Sequence, residues 1–182
     1  MNYLFFLLIP AGLSLLIISI KQIFRFVNTK KIYEMPCNQG EGTFTIISKG
    51  EYGLWISGKN FTRTPIGKIS FNLVNQQTGK SVPLTINLLR TSISGFKTRR
   101  VELYIFRVEE GNYVISLNDR ASIRDKVGTI IANAIFRKPV DYSMFFVQIR
   151  EHISMYILVL CVFGIIFGSV MTISGIILPI AL

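Results

Sequence analysis

Charged side chains are missing from both ends of this 182-residue chain. All 20 Lys and Arg and all 10 Asp and Glu lie between Lys21 and Glu151, so the central segment carries the whole formal net charge of +10. Cores of soluble domains seldom contain uncharged apolar stretches as long as these two ends. The absence of charge therefore divides the chain into two apolar ends and a basic centre.

Each uncharged end is long enough to cross a membrane as a helix. Residues 1–20 reach about 30 Å at the helical rise per residue, which is the thickness of a hydrocarbon core. The second stretch, from Ile153 to Leu182, is long enough to span with tilt. A cleaved signal peptide is the alternative for the first stretch, but no basic residue precedes it and no small-residue cleavage site follows. We predict transmembrane helices over 1–20 and 153–180 and a basic soluble domain over 21–152.

Basic residues flank both predicted helices on the side of the central domain. They are Lys21, Arg25, Lys30 and Lys31 after the first helix, and Arg137, Lys138 and Arg150 before the second. Because positively charged flanks stay in the cytoplasm, we predict a cytoplasmic domain and external termini in a bacterial inner membrane. A basic domain held close to the bilayer also favours contact with the anionic lipids of that leaflet.

The central segment alternates apolar and polar residues with a period of two, which is typical of strands. Six such runs are separated by Gly, Asn and Ser: TFTIIS, EYGLWIS, GKISFNLVN, SVPLTINLL, RRVELYIFRVE and NYVISL. The stretch DYSMFFVQIREHIS resumes the alternation just before the second helix. The pattern predicts a membrane-anchored, mainly-β chain with one antiparallel β-sandwich-like domain of about 6–8 strands between the two helices. Residues 121–140 fit either a helix or a strand.

The same alternation predicts which side chains are buried. In RRVELYIFRVEE the predicted apolar set is Val101, Leu103, Ile105 and Val108, and the predicted solvated face is Arg100, Glu102 and Arg107. In the earlier run, Tyr52, Leu54 and Ile56 share one face, and Trp55 lies on the other.

Trp55 has two interpretations. It packs under a loop or against a second sheet while its indole N–H bonds a carbonyl, or it anchors a protein partner or the lipid headgroup region. The other candidate contacts with a partner or the membrane are the cations Arg63, Lys68, Arg120 and Arg124.

Groups that carry catalysis or bind metals are scarce. The chain has one histidine, His152, and two cysteines, Cys37 and Cys161, which fall in different predicted compartments. No Cys or second His stands at metal-ligand spacing, and the glycines occur singly instead of forming a phosphate-binding loop. No basic helical stripe or single-strand binding motif points to nucleic acid. We therefore expect no catalytic residues, no metal, no cofactor and no nucleic-acid partner.

The second predicted helix contains a face of small residues. Gly164 and Gly168 form a G-x-x-x-G pattern, and Gly175 follows on nearly the same face. Small residues let helix backbones approach closely in a membrane. The predicted partner of this face is the first helix through Ala11 and Ser14, the second helix of another copy, or a foreign membrane protein.

A binding function fits these features best. We expect a non-enzymatic two-pass membrane protein whose β domain binds a protein partner, either as an immunity protein that neutralises a toxin at the membrane or as an accessory subunit of a membrane complex. The alternative is a membrane effector or pore former that oligomerises through the second helix and is gated by its soluble domain. A membrane enzyme or nucleic-acid binder would need a polar site formed by the loops.

Overall fold

The computed structural model describes residues 3–60, 70–88, 90–118 and 142–181. The chain divides into two units, Met1–Thr29 with Ile153–Leu182, and Lys30–His152. Several predictions concern positions outside the described residues. They are the contacts of Arg63, Lys68, Arg120 and Arg124, the flanking charges Arg137 and Lys138, and the helix or strand over 121–140.

The first unit contains two long apolar helices. Helix α1 covers Leu8–Val27 after a 3-10 turn at Tyr3–Leu7, and α2 covers Met155–Ala181. Both are long and apolar enough to cross a membrane. Helix α1 continues past the predicted boundary at residue 20, because Lys21 and Arg25 are good helix formers. It ends at Asn28, whose backbone N–H donates to Phe24 O at 2.9 Å.

The second unit is built from antiparallel strands, and the described residues contain nine of them. They are β1 (Lys31–Pro36), β2 (Glu41–Ile46), β3 (Gly50–Lys59), β4 (Ser70–Asn75), β5 (Thr85–Ile86), β6 (Ser92–Ser94), β7 (Thr98–Val108), β8 (Gly111–Asn118) and β9 (Phe146–Glu151). The larger sheet has the order β1-β9-β3-β7-β5, with β6 also paired to β7, and the smaller sheet has the order β2-β8-β4. The mainly-β prediction is confirmed, although β1 and β6 were not predicted and the run SVPLTINLL supplies only the two residues of β5.

The hydrophobic core lies between the two sheets. Tyr52, Leu54 and Ile56 of β3 face it, as the alternation predicts. The neighbouring strand β9 adds Val147 and Ile149. The smaller sheet contributes Phe44 and Ile46 from β2, Leu73 from β4, and Tyr113 and Ile115 from β8. Both sheets therefore contribute apolar side chains to one hydrophobic core.

The prediction that Glu102 lies on a solvated face is wrong, because Glu102 is only 1% exposed. The register shifts on β7: Leu54 pairs with Tyr104 but Trp55 pairs with Glu102, which leaves Leu103 as an extra residue. The alternation changes phase at this bulge, so Phe106 is buried in the core in place of the predicted Ile105. A single period of two across the whole run could not represent this change.

Candidate functional site

The larger sheet carries polar side chains on the face that points away from the core. Trp55 lies between the core residues Leu54 and Ile56, and therefore on this second face. It pairs with Gln148 of β9 on one side and with Glu102 of β7 on the other. We call this surface the outer polar face and define it by Glu34, Trp55, Arg100, Glu102, Gln148 and Arg150.

Glu102 is the most deeply buried charged group of the outer polar face. Its Oε1 lies 2.9 Å from His152 Nδ1, and its Oε2 accepts a hydrogen bond from Asn87 Nδ2 at 2.7 Å. The side chain of His152 is only 10% exposed, and its backbone N–H donates to Glu51 O at 3.0 Å. A buried carboxylate is stable only when its oxygens are hydrogen-bonded. His152 and Asn87 together therefore hold Glu102 in the interior.

Gly53 leaves the space that this carboxylate occupies. A Cβ at Gly53 would lie 2.1 Å from Glu102 Oε1 and 2.6 Å from Trp55 Nε1. Trp55 itself is 3% exposed, and Nε1 has no hydrogen-bond partner among the residues that the structure describes. The structure thus buries Trp55, as the packing interpretation expects, but without the carbonyl partner for its N–H.

One arginine contacts Trp55, and a second contacts Gln148, the strand neighbour of Trp55. The Arg100 Cζ is 5.7 Å from the centroid of the Trp55 ring, which is a cation–π contact. The Arg150 Nε donates to Gln148 Oε1 at 2.8 Å. Burial lowers the pKa of both guanidiniums, and the charge of Arg100 lowers the pKa of Arg150 further while Glu34 opposes this effect. Both groups stay cationic at neutral pH, because the ordinary pKa of arginine is so high.

Glu34 links Gln148 and Arg150 to the edge strand β1. Gln148 Nε2 donates to Glu34 Oε1 at 2.6 Å, and Lys31 forms an ion pair with the same carboxylate. Burial opposes ionisation of Glu34, but the hydrogen bonds from Lys31 and Gln148 and the charges of Lys31 and Arg150 outweigh it, so its pKa is lowered from the ordinary value. Hydrogen bonds and an ion pair therefore connect Lys31, Glu34, Gln148 and Arg150.

Among the described residues of the β domain, few groups are arranged for catalysis or metal binding. A carboxylate bonded to imidazole Nδ1 orients histidine in acid–base sites, and Glu102 and His152 share that local geometry. The described residues contain no group of three or more His, Cys, Asp or Glu that could hold a metal ion. Burial raises the pKa of the Cys37 thiol to about 11, so this thiol is a poor nucleophile near neutral pH.

A second feature of the β domain is the turn between β6 and β7. Phe96 is fully exposed there. Asn60 Nδ2 donates to Gly95 O at 2.8 Å and to Phe96 O at 3.1 Å, and its backbone N–H donates to Lys97 O at 3.2 Å. The Gly95 N–H also donates to Thr98 O at 2.8 Å. We call residues 95–97 the Phe96 turn, which exposes an aromatic side chain on a hydrogen-bonded backbone.

The Phe96 turn lies between two of the predicted strand runs and was not predicted as a site. The signal that could have found it is a phenylalanine inside the turn SGFK, where a large apolar side chain has no strand or helix to bury it. The hydrogen bonds from Asn60 could not be predicted from the sequence, because Asn60 precedes Phe96 by 36 residues.

The predicted glycine face lies along the contact between α1 and α2. At each of its three glycines a Cβ would approach α1 too closely: 2.2 Å from Ser19 Oγ at Gly164, 2.9 Å from Gly12 O at Gly168, and 2.8 Å from Ile9 Cγ1 at Gly175. These positions therefore require glycine in order to pack against α1.

The residues of α1 in this contact differ from the expected ones. Gly12 and Ser19 are buried, whereas Ala11 and Ser14 are exposed. A second copy or a foreign helix would have to displace α1 to use the same glycines. The oligomeric pore former therefore gains no support from this face.

The residues expected to set the topology are exposed at the end of α1 and the start of β1. Lys21, Arg25, Lys30 and Lys31 are all exposed, and Arg150 lies on β9 in the outer polar face.

No protein-family model matches the chain, and no curated protein matches it in sequence.

Proposed function

We propose that the chain is a two-pass membrane protein whose β domain binds a protein partner and catalyses no reaction. The observation that supports this most strongly is the Phe96 turn. Large aromatic side chains dominate the energy of protein interfaces. A side chain whose backbone is already ordered loses less conformational entropy on binding. Four hydrogen bonds around residues 95–97 provide that order, in a position where folding gains nothing from the phenyl ring.

The membrane part of the proposal is supported by the surface of the two helices. Apolar side chains are exposed along both of them, including Phe24 at 64%, Leu160 at 68% and Phe163 at 52%. Contiguous apolar surface of this extent is rare on soluble proteins, whereas lipid covers it at no cost. Exposed cations at the end of α1 favour a cytoplasmic β domain that contacts anionic lipid, with both termini outside a bacterial inner membrane.

Two roles suit a small anchored binding module of this kind. One is immunity, in which the β domain neutralises a toxin at the membrane. The other is that of an accessory subunit, in which the β domain attaches to a larger membrane complex. Both roles require a partner that recognises the exposed Phe96.

The partner can be tested by purifying the tagged full chain from detergent-solubilised membranes and quantifying co-purifying proteins by mass spectrometry. Phe96→Ser should lose the specific partner, since it removes the anchor. The matched control is Leu88→Ser, because Leu88 is 88% exposed but lies outside the Phe96 turn. Folding of each variant is checked through Trp55, the single tryptophan of the chain. An unchanged set of proteins with Phe96→Ser would remove the proposal.

The topology is tested with single cysteines placed in the β domain and at Leu182 of a Cys-free chain. Intact cells are then treated with a membrane-impermeant maleimide. Labelling at the C-terminus alone supports a cytoplasmic domain. Labelling of the β domain would place it outside and redirect the search to extracytoplasmic partners.

A further inference from the structure

The stretch of chain that contains the Phe96 turn has no acidic residue. Between Glu51 and Glu102 every charged side chain is basic. These basic residues are Lys59, Arg63, Lys68, Lys80, Arg90, Lys97, Arg99 and Arg100. The whole chain has one acidic residue for every two basic ones, so the missing acid sets residues 52–101 apart from the rest of the domain.

The strand ladder brings three of these cations to the Phe96 turn. Lys97 belongs to the turn itself, and Arg99 follows it on β7. Lys59, at the end of β3, pairs with Thr98, which lies between those two residues. All three cations are exposed. We call the surface formed by Lys59, Phe96, Lys97 and Arg99 the basic tip.

Two cations of the basic tip lack a carboxylate partner within the described part of the chain. No described Asp or Glu forms an ion pair with Lys97 or Arg99. The Arg99 Nε donates to Ser92 Oγ at 2.8 Å, which orients the guanidinium through an uncharged group. The basic tip therefore presents positive charge beside an exposed phenyl ring.

Acidic residues of the larger sheet lie at its other end. Glu51 lies at the start of β3, Glu151 pairs with Tyr52, and Glu109 follows directly after β7. Strands β1 and β9 connect to α1 and α2 at this acidic end, each through three residues. From Tyr52 to Lys59, β3 extends about 23 Å. The basic tip is therefore at the end of the larger sheet that the helices do not join.

We propose that the basic tip is the docking surface for an acidic segment of a protein partner, which places carboxylates beside Lys97 and Arg99 and an apolar pocket over Phe96. The proposal deepens the function proposed above and rests on it. The local charge selects the occupant, because a basic segment is repelled there, including the basic tip of a second copy, and an acidic one is attracted. The phenyl ring supplies affinity, while the cations supply orientation and a faster association. The distance along β3 favours a protein over the lipids that surround the helices.

The proposal is tested with the full chain in nanodiscs of zwitterionic phosphatidylcholine, with empty nanodiscs as the background. The probe is a fluorescent, end-blocked hexapeptide in which a leucine pair is flanked on each side by a glutamate pair, and its binding is followed by fluorescence anisotropy. Lys97→Glu and Phe96→Ser should each weaken binding at least about fivefold. The matched control Lys80→Glu makes the same charge change at an exposed lysine outside the basic tip, and its affinity should stay within about twofold of the wild type. Equal weakening by Lys97→Glu and Lys80→Glu would overturn the proposal, because binding would then follow the charge of the whole domain.

A second measurement uses the wild-type chain alone, so it stays valid if a variant disturbs the fold, which Trp55 fluorescence reveals. Replacing the glutamates of the peptide by glutamines should weaken binding at least about tenfold. Raising NaCl from about 50 mM to about 500 mM should also weaken binding of the glutamate peptide, because salt screens exposed charges. Equal binding of the glutamate and glutamine peptides, or no binding of the glutamate peptide, would contradict the proposal.

Vesicles that contain phosphatidylserine test whether the basic tip binds lipid instead. The chain in nanodiscs should stay in the supernatant when these vesicles are sedimented. Sedimentation that Lys97→Glu abolishes would assign the surface to anionic lipid and overturn the proposal.

Failure of this proposal can be told apart from failure of the proposed function. A partner that co-purifies with the wild-type and Lys97→Glu chains, but not with Phe96→Ser, would keep the interface at Phe96 and remove its acidic chemistry. Loss of that partner with either variant, but not with Lys80→Glu, is the result that we expect.

Discussion

The two faces of the larger sheet are both buried at their centre, but by different chemistry. On the core face, Leu54 and Ile149 are fully buried among other apolar side chains. On the outer polar face, Glu102 and Gln148 are nearly as buried, yet each polar group depends on particular partners. Apolar burial is non-directional, whereas burial of a charge requires bonded neighbours at fixed positions. Changes of volume therefore destabilise the core face, whereas the outer polar face is also sensitive to changes that break its hydrogen bonds.

The largest effect is expected on the core face. Leu54→Ala should lower the free energy of unfolding by about 2–5 kcal/mol, because it leaves a cavity between the sheets. The measurement is urea unfolding of the full chain in micelles, followed by Trp55 fluorescence. Ile47→Ala is the control, since Ile47 is 77% exposed and its removal should change stability by less than about 0.5 kcal/mol. Similar losses for both variants would contradict the core assignment.

A smaller but more specific effect is expected at Glu102. Glu102→Ala should destabilise the β domain by about 1–3 kcal/mol, because His152 and Asn87 lose their common acceptor. The losses in the free energy of unfolding caused by Glu102→Ala and His152→Ala should not be additive. The double variant should be at least about 0.5 kcal/mol more stable than the sum of the two single losses predicts. Glu109→Ala serves as the control, because its ion pair with Lys49 is exposed on both sides. Full additivity would show that Glu102 and His152 do not interact.

The space above Gly53 links Glu102 to Trp55. Gly53→Ala should cost about 1–2 kcal/mol, because the added methyl group displaces the carboxylate and the indole. It should also shift the emission of Trp55 in the folded chain. Gly95→Ala is the matched control, where the nearest atom to an added Cβ is Thr98 O at 3.4 Å. Identical stability and emission for Gly53→Ala and the wild type would mean that the carboxylate lies elsewhere.

The smallest effect is a dependence on pH from Glu34. Its folded pKa lies below the ordinary value of 4.5, so its ionised form stabilises the fold above pH 4.5 and this contribution is lost as the pH falls toward the folded pKa. The contribution is small because the Glu34 side chain is 32% exposed. Unfolding measured between pH 6 and pH 3 should show this loss in the wild type and a shallower one in Glu34→Gln. Parallel curves for the two would exclude a role for Glu34.

Much of the fold was predictable, because it depends on local patterns. The apolar ends predicted two helices, and the alternation in EYGLWIS placed Tyr52, Leu54 and Ile56 on one face, which lies in the core. The candidate site was predictable only in fragments. Trp55 was assigned to the face opposite Leu54, but Glu102 was assigned to water, and the Phe96 turn was not recognised as a site. The residues that hold Glu102 are 15 and 50 positions away in the chain, a distance at which no periodic pattern operates.

By itself, the sequence determined the division into two apolar helices and a basic β domain, since charge and hydropathy act residue by residue. Only the tertiary structure decided the bulge at Leu103, the burial of Glu102 between His152 and Asn87, and the pairing of the α2 glycines with Gly12 and Ser19. Among the described strands, it also decided that β2 and β4 form the two edges of the smaller sheet. These features depend on which distant segments become neighbours. That choice follows from packing of the whole unit and not from any local preference.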